Sequence, residues 1–557
     1  MRRISLFCAV VVAFLTTAAA QPYPDLGALL DEQKGQKVIE IPKGTYMLDV
    51  RRNGAYKFHN LTDVRINGNG ATVLCNNQET ALSFYNCVRV HVTDLTIDYN
   101  PFCSTQGEIV AVAEDGLSFD VRIDDGYPTE NIVPRRVQFY DPATRLLKRN
   151  SITTYGSHYA DLKQIGYRLF RLVKRGSWSA GECVGDLVTI PVVSSKKGYY
   201  GTNTIQLQKC YHMKLERVTV YDSSCFSIYE KECYANEYRN CTIGRGPMPD
   251  HLKPRLFAGN ADGIHSSQAR KGPVMIGNKV GFTGDDCLIV CARSFPIVSV
   301  DVKKHQVVLV SRESHPVFQR GDRLIVVGYD GRRKGELRLQ GIETFTASAE
   351  QREAVVSRYP TLLAKNAYNH GYRLQVKNLP FAIEPGDVLF NGDAVGAGFV
   401  MRDNEVGNNR SRGILIKGVD GVIERNRIDG CAMHGILVSP EIQWMGGGFS
   451  SGISIVDNYI NGCMFERSND SMLPGSLAVV YTTGQGEIPE AGTFVDITIR
   501  ENRVTNSPAP VAAVASVDGL CLMDNEFVPS TEVERTHGSQ YGADVKTPIW
   551  EKNNQHK

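Results

Sequence analysis

Apolar residues occur along this chain in short runs rich in Val, Ile, Thr and Tyr, and Gly, Asn or Asp separates one run from the next. Such runs predict β-strands divided by turns rather than helices. One element, Asn-x-[Val/Ile/Phe], recurs six times beside a strand-like run. Its asparagines are Asn278, Asn404, Asn426, Asn458, Asn502 and Asn525. Recurrence of one short element predicts a solenoid built from stacked repeats.

The spacing of this element indicates the length of one repeat. Residues 404 and 426 are 22 apart and residues 502 and 525 are 23 apart, which is about one coil of a parallel β-helix. The 44 residues from 458 to 502 are expected to make two such coils. Asparagine tolerates left-handed backbone, so we expect it at the same corner of each coil. The predicted fold class is all-β, a right-handed parallel β-helix.

Two segments, from about 106 to 193 and from about 295 to 396, break this spacing with alternating polar and apolar residues around turns. This pattern is typical of antiparallel hairpins, so we expect two inserted β-barrel or β-sandwich subdomains. A short helix from Pro24 to Gln33 is expected to cap the solenoid. The predicted organisation is a signal peptide (1–20), a cap with the first coils (21–105), an inserted subdomain (106–195), coils (196–294), an inserted barrel (295–396), coils (397–530) and a tail (531–557).

The first twenty residues have the features of a cleavable secretory signal. Arg2 and Arg3 precede an apolar run, and small residues from Ala18 to Ala20 end it. We therefore expect a secreted or periplasmic protein. No later stretch has the eighteen or so apolar residues that a membrane helix needs. The 62 basic and 60 acidic residues nearly balance, which gives no reason to expect nucleic acid as a partner.

Fourteen cysteines are scattered along the chain, and thirteen remain if the signal segment is removed with Cys8. An odd number without Cys-x-x-Cys pairs indicates neither a disulfide framework nor a zinc site, so most are expected to be small core residues. One or two disulfide bridges remain an alternative for some of these cysteines. No Cys/His ligand spacing and no calcium loop is visible, so we expect no metal and no cofactor.

The strongest candidate for chemistry is a pair of aspartate motifs. Asn260-Ala-Asp262-Gly-Ile-His265 is followed by Thr283-Gly-Asp285-Asp286-Cys287. Asp262 and Asp285 are 23 residues apart, about one coil, so the two motifs are expected side by side on neighbouring coils. Adjacent residues of a strand point to opposite faces, so Asp285 and Asp286 can share one site only if the backbone bends, which Gly284 permits.

Three clustered carboxylates repel one another, and this repulsion is expected to keep one of them protonated near neutral pH while the others stay ionised. Hydrolysis of a glycosidic bond needs this combination, because an acid protonates the leaving oxygen and a base activates water. Asp262, Asp285 and Asp286 are therefore the candidate catalytic residues. The alternative is that these aspartates only occupy turns of a solenoid and have no catalytic role.

Five further residues are candidates for contact with a substrate. His265 follows Asp262 by three positions, although it can equally be a hydrogen-bonded residue of its strand. Glu441 and Trp444 lie in a glycine-rich loop, where an aromatic ring can stack on a sugar and a carboxylate can bind its hydroxyl groups. Arg410 and Arg412 are also candidates, with solvated turn residues as the alternative.

The pattern Asp-Gly-x-His followed by Gly-Asp-Asp resembles glycoside hydrolase family 110, the α-1,3-galactosidases of gut and marine bacteria. Further similar stretches are Asp98-Tyr-Asn-Pro101 with Thr105-Gln-Gly107, the strand at Arg320-Gly-Asp322, and Asn409 to Leu415. The resemblance implies an exo-acting, inverting and metal-free hydrolase of terminal α-linked galactose. It also implies that Asp285 protonates the leaving oxygen while Asp262 and Asp286 activate water. For an inverting site we predict a separation of roughly 6.5–9.5 Å between the acid and the nearest base.

Two other functions stay open. Polygalacturonases have a similar Asn-x-Asp and Gly-Asp-Asp-Cys arrangement, but their Gly-His-Gly and Arg-x-Lys motifs do not follow Cys287 at short spacing here. Only Met433-His434-Gly435 and the stretch from Arg412 to Lys417 are faintly similar, and they stand in the wrong order. A non-catalytic carbohydrate-binding β-helix is the third possibility. The expected partner is in each case a carbohydrate, and the sequence does not indicate the oligomeric state.

Overall fold

The computed structural model describes residues 23–50, 54–192, 201–315, 317–359, 368–442, 445–466, 473–483, 486–531 and 547–557. The predicted signal peptide lies outside these ranges. The described chain is nearly all β-structure, with α-helices at Leu26–Glu32 and Ala349–Arg358 and a 3-10 turn at Gly156–His158. Among the described helices, none is both long and apolar enough to cross a membrane.

The strands outside the two insertions stack in parallel on three faces, which makes the predicted β-helix. The first face contains Val38–Glu40, Thr62–Cys75, Val88–Tyr99, Lys214–Glu216, Glu237–Arg239, Val274–Ile276, Val400–Arg402, Val422–Glu424, Ser451–Val456, Phe494–Arg500, Val517–Met523 and Gln555–His556. The second face contains Thr45–Leu48, the second halves of the two long strands 62–75 and 88–99, Thr219–Val220, Thr242–Ile243, Lys279–Gly281, Glu405–Gly407, Arg427–Asp429, Tyr459–Asn461, Arg503–Ser507 and Glu526–Pro529.

The third face carries the strands that follow the aspartate motifs. It contains Tyr56–His59, Leu82–Tyr85, Ile205–Gln208, Ile228–Lys231, Ile264–Ser267, the start of Leu288–Asp301, Ile414–Ile416, Ile436–Val438, Leu477–Val479, Ala512–Ala515 and Ile549–Lys552. Side chains alternate in and out along these strands, and the inward ones form one continuous apolar core.

Two antiparallel units interrupt the coils. The first is a seven-stranded sheet of Ser104–Val112, Ser118–Ile123, Arg136–Tyr140, Thr154–Tyr155, Tyr159–Gly166, Leu169–Lys174 and Leu187–Pro191. The second is a barrel that closes through the end of Leu288–Asp301, Gln306–Ser311, His370–Val376, Arg333–Thr346, Arg323–Val327 and Val388–Asn391. Each unit has its own apolar core. One unbroken strand, Leu288–Asp301, therefore runs from the β-helix into the barrel.

The repeated asparagines form a buried ladder between the first and second faces. Asn404 illustrates the pattern: its Oδ1 accepts hydrogen bonds from the backbone N and the Nδ2 of Asn278, both at 2.9 Å. Its own Nδ2 donates to the carbonyl of Met275 and to Oδ1 of the next asparagine. The same bonds continue through Asn426, Asn458, Asn502 and Asn525. The ladder satisfies the polar groups that every corner buries.

Two expectations about this corner are wrong. Asn458 bonds directly to Asn502, so the 44 residues between them make one coil with a long loop rather than two coils. The left-handed residue is the one before the asparagine, as at Asp403 (φ 56°) and Arg425 (φ 51°), and not the asparagine itself. The asparagine is selected because its amide both donates and accepts hydrogen bonds inside the corner.

The end of the chain also differs from its prediction. Residues 531–557 were expected to form a tail, but Ile549–Lys552 pairs with Ala512–Ala515 on the third face. Gln555–His556 likewise extends the first face. The thirteen cysteines within the described residues all have free thiols, and most of them are buried. Those buried thiols fill small spaces in the core, as expected.

Candidate active site

The aspartates meet because they occupy the same turn on neighbouring coils. Ile264 pairs in register with Leu288, so Asp262 and Asp286 each stand two residues before paired strands. The backbone N of Gly263 donates to the carbonyl oxygen of Asp286 at 2.9 Å, which holds the two turns together. On the next coil Leu288 pairs with Ile414, and this register places Arg412 beside Asp286.

Asp285 joins this group through the turn around Gly284. A Cβ at Gly284 would lie 2.6 Å from the carbonyl oxygen of Asn260, so only glycine fits there. One carboxylate oxygen from each of Asp262, Asp285 and Asp286 lies within 4.8 Å of the others. The predicted clustering is therefore present. These single oxygens are closer together than the 6.5–9.5 Å predicted between the whole carboxyl groups of the acid and the base.

Three arginines surround the aspartates. Arg410 Nη2 lies 2.9 Å from Oδ1 of Asp285, and Arg136 Nη2 lies 3.2 Å from its Oδ2. Arg410 and Arg136 also donate to the carbonyl oxygen of Gly284. Arg412 donates its backbone N to Oδ1 of Asp286 at 2.9 Å, and its Nε lies 3.1 Å from the same oxygen. Three guanidinium groups thus offset the charge of the carboxylates.

The charges around Asp285 oppose the role that the resemblance implies for it. Burial would raise its pKa, but the charges of Arg410, Arg136 and Arg412 outweigh burial and hold the pKa well below its ordinary value. A carboxyl group held in this way stays ionised in the free site and lacks a proton to give. Its side chain is also 24% exposed, whereas those of Asp262 and Asp286 are 6% and 4% exposed.

Asp262 and Asp286 have pKa values shifted in the opposite direction, above the ordinary value of an aspartate. Burial raises the pKa of Asp286 to about 7, with Arg412 opposing the shift and the charges of Asp285 and Asp262 adding to it. Burial and the charge of Asp285 raise the pKa of Asp262 well above its ordinary value, against the effect of Arg412. The free site therefore holds an ionised carboxylate beside two carboxyl groups that retain protons more readily.

His265 links Asp262 to a cysteine that the sequence did not single out. Its Nδ1 lies 2.6 Å from Oδ2 of Asp262, and its Nε2 lies 3.3 Å from Sγ of Cys291. The imidazole stacks on Phe226, with ring centroids 4.5 Å apart. Burial would raise the pKa of the Cys291 thiol, but His265 and then Lys417 lower it to about 7. Asp262, His265 and Cys291 form one hydrogen-bonded chain.

Glu441 also lies at this site, although it is already paired. Its Oε1 accepts a hydrogen bond from Arg412 Nη2 at 2.9 Å, and its Oε2 accepts one from Lys417 Nζ. Burial would raise its pKa, but Lys417 and Arg412 lower it to about 2. Glu441 therefore fixes Arg412 against Asp286. Trp444, the other loop candidate, lies outside the described residues.

Sequence reasoning missed two residues that come from the first insertion. Arg136 contacts Asp285, and Tyr155 accepts a hydrogen bond from Arg410 Nη1 at 2.7 Å. The insertion also reaches a later coil, where Asn150 donates its backbone N to the carbonyl oxygen of Phe465 at 3.3 Å. No local motif marks Arg136 or Tyr155, because only the packing of the insertion on the coils brings them to the site.

The three aspartates are the group of residues in the described chain whose geometry suits a metal ion. Oxygen ligands at this spacing are the kind that Ca²⁺ and Mg²⁺ prefer. The arginines already offset their charge, however, which reduces the attraction for a cation. The arrangement is better suited to proton transfer, since it combines an ionised carboxylate with carboxyl groups of raised pKa.

Fold and site together define a parallel β-helix protein with three clustered aspartates and three arginines at one turn. No family model matches the chain. It is 21% identical to alpha-1,3-galactosidase A of Bacteroides fragilis, over 95% of this chain and 89% of that protein. This similarity confirms the resemblance seen in the sequence and supports a glycoside hydrolase.

Similar solved structures include two proteins of about one tenth sequence identity. The A-module of a mannuronan C-5 epimerase of Azotobacter vinelandii matches with 9% identity and a TM-score of 0.41, over 96% of both chains. The family 28 exopolygalacturonase of Yersinia enterocolitica matches with 10% identity and a TM-score of 0.38, over 95% of this chain and 75% of that one.

Proposed function

We propose that this protein is an exo-acting, inverting glycoside hydrolase that releases terminal α-linked galactose, with the α-1,3 linkage as its first candidate. The observation that carries the proposal is the gathering of Asp262, Asp285 and Asp286 at one turn in unequal states of protonation. The similarity to alpha-1,3-galactosidase A supports galactose as the sugar. From the first twenty residues of the sequence we also propose that the protein is secreted or periplasmic.

Hydrolysis at this site divides into two proton transfers. A carboxyl group of raised pKa, Asp262 or Asp286, donates a proton to the leaving oxygen. The other of these two groups, when it is ionised, accepts a proton from the attacking water, and two carboxylate oxygens within 4.8 Å can both hydrogen-bond one water molecule. Arg410 and Arg136 keep Asp285 ionised throughout. Inversion rests on the family resemblance.

Action at a chain end is supported by the way the first insertion covers the turn. Arg136 and Tyr155 approach the aspartates from this insertion, and Asn150 ties it to the coil at Phe465. A long polysaccharide lying across the coils would meet this cover. A terminal sugar can enter a closed site more easily than an internal one, which favours release of single sugars.

A polygalacturonase needs cations that are free to bind the carboxylates of its substrate. The cations at the three aspartates are engaged: Arg410 with Asp285, and Arg412 and Lys417 with Glu441. The site as described therefore favours a neutral sugar over galacturonic acid. Polygalacturonate is the competing substrate against which this preference is tested below.

A substrate panel tests the proposal. The purified protein would be incubated with α-1,3-galactobiose, with galactobioses of other α linkages, with polygalacturonate and with nitrophenyl glycosides of several sugars. Release of galactose from α-linked substrates, and from α-1,3-galactobiose most rapidly, is the expected result. Hydrolysis of polygalacturonate alone would replace the proposal with its alternative. Binding of galactosides without any product would indicate a non-catalytic lectin-like protein.

A further inference from the structure

A cavity lies where the strand Leu288–Asp301 passes from the third face into the barrel. Its volume is about 80 Å³, which is room for several water molecules or for one edge of a sugar ring. The residues that matter for its chemistry are Arg293, Ser294, Arg312, Glu313, Tyr368 and Met445. None of these residues contacts the three aspartates directly among the described contacts.

One strand, Leu288–Asp301, connects this cavity with the candidate active site. Cys291, which ends the chain of bonds from Asp262 through His265, stands two residues before Arg293. Side chains two apart on a strand lie on the same face, about 7 Å from each other. The loop of Glu441 reaches the same place, because Gly446 pairs with Arg293 and Met445 accepts a hydrogen bond from the backbone N of Ser294.

Two polar atoms in the wall of the cavity lack a hydrogen-bond partner in the described chain. Arg293 Nε and Ser294 Oγ are both shielded from solvent and make no hydrogen bond, although the Arg293 side chain as a whole is 41% exposed. The nearest ionic partner of Arg293 Nε is Oε1 of Glu313, at 3.8 Å. Buried donors of this kind usually have hydrogen-bond partners. The lack of a protein partner here indicates that a ligand or an ordered water molecule accepts these hydrogen bonds.

The remaining lining adds an acceptor and two apolar surfaces. Glu313 is held in place by an ion pair with Lys231 of the third face. Tyr368 is only 3% exposed, and the guanidinium of Arg312 lies 5.0 Å from its ring centroid. A guanidinium donor, a hydroxyl and a carboxylate acceptor are together suited to the hydroxyl groups of a neutral sugar.

We propose that this cavity binds the sugar on the leaving-group side of the bond that is cleaved. The proposal rests on the proposed function and names the part of the substrate that the barrel recognises. Arg293 and Ser294 donate to hydroxyl groups of that sugar, and Glu313 accepts from one of them. Since Arg312, Glu313 and Tyr368 belong to the inserted barrel, this insertion sets the preference for the leaving group.

Two substrates with the same galactosyl group separate this role from catalysis. α-Galactosyl fluoride has no sugar on the leaving-group side, whereas α-1,3-galactobiose has one. The measured quantity is the ratio of kcat/KM for the disaccharide to kcat/KM for the fluoride. We expect this ratio to fall about tenfold in Arg293→Met, as for the loss of one hydrogen bond to a neutral group. Glu313→Gln is expected to lower it in the same direction.

Arg320→Met provides the matched control, because Arg320 is an exposed arginine of the same barrel. Its ratio is expected to equal that of the wild type. An unchanged ratio in folded Arg293→Met and Glu313→Gln would overturn the inference, as would a fall confined to acidic leaving groups. If the wild-type protein hydrolyses neither substrate, the proposed function itself has failed, which is a distinct result.

Discussion

Asp262 and Asp286 occupy equivalent positions on neighbouring coils, each two residues before a strand of the third face, and the backbone N of Gly263 bonds to the carbonyl oxygen of Asp286 at 2.9 Å. The carboxylates are therefore brought together by the register of a parallel sheet and not by a local motif. Because a slip of the register would separate them, the rigid solenoid fixes the geometry of the site.

Replacing the two adjacent aspartates is expected to change stability in opposite directions. The pKa of Asp286 is about 7 against about 4 in an unfolded chain, so the folded protein keeps a proton that the unfolded chain loses. The free energy of unfolding then falls as the pH rises from about 4 to about 7. Asp286→Asn cannot ionise, so it is expected to raise Tm at pH 8 by about 2 °C or more.

Asp285→Asn is expected to lower Tm at the same pH, because Arg410 and Arg136 lose their anionic partner. Thermal unfolding followed by circular dichroism at pH 5 and pH 8 measures both effects. Equal stability of the two variants at pH 8 would show that the unequal charge states do not exist.

The position of the acid can be tested with a substrate that needs little protonation. Fluoride leaves readily without an acid, so the variant that lacks the acid should hydrolyse α-galactosyl fluoride far better than α-1,3-galactobiose. We expect this selective retention in Asp262→Asn or Asp286→Asn, because Asp285 is ionised. Selective retention in Asp285→Asn would assign the acid to Asp285, as the family resemblance implies.

The thiol of Cys291 is expected to influence the site through His265. Methyl methanethiosulfonate, a small thiol reagent, should inactivate the protein, and galactose should slow the inactivation, since Cys291 bonds to the imidazole beside Asp262. The variant Cys291→Ala should resist the reagent. Inactivation of Cys291→Ala at the wild-type rate would place the sensitive thiol elsewhere, with the exposed Cys183 as the first candidate.

The asparagine ladder is expected to carry much of the stability of the coils. Asn404→Ala removes an amide that is 1% exposed and leaves its buried partners unsatisfied, at a cost of about 2–4 kcal/mol in the free energy of unfolding. Asn525→Ala, at the less buried end of the ladder, should cost less. Denaturant unfolding of both variants gives the comparison, and equal small losses would contradict it.

Hydrolysis is expected to survive removal of divalent cations, because three arginines already offset the charge of the aspartates. The measurement is the rate on α-1,3-galactobiose before and after dialysis against EDTA. Loss of activity that a single kind of ion restores would mean that the aspartates hold a metal.

The repeat and the pair of aspartate motifs were both visible in the sequence. The spacing of Asn-x-[Val/Ile/Phe] predicted the coils. The interval from Asp262 to Asp285 predicted that these two aspartates lie close together on neighbouring coils. The prediction of two coils between Asn458 and Asn502 was wrong, because spacing alone does not distinguish two coils from one coil with a long loop. The hydrogen bond from one ladder asparagine to the next, rather than the number of residues between them, defines a coil in this protein.

The electrostatic character of the site could not be predicted from the motifs. Arg136 lies in the first insertion, far along the chain from Asp285, and Cys291 was indistinguishable from the other core cysteines. Their roles depend on how the insertion packs and on the register between coils. These contacts decide which aspartate is ionised, so the family resemblance alone left that assignment open.

Hydrolysis of an α-galactosidic bond by the three aspartates is the activity we propose. Proton NMR of α-1,3-galactobiose with the wild-type protein, recorded from the first minutes, tests it most directly. We expect galactose to appear with its β anomer first, before mutarotation, and we expect Asp286→Asn to release none on the same timescale. Absence of galactose, or its undiminished release by Asp286→Asn, would contradict the proposed activity, and an initial α anomer would contradict inversion.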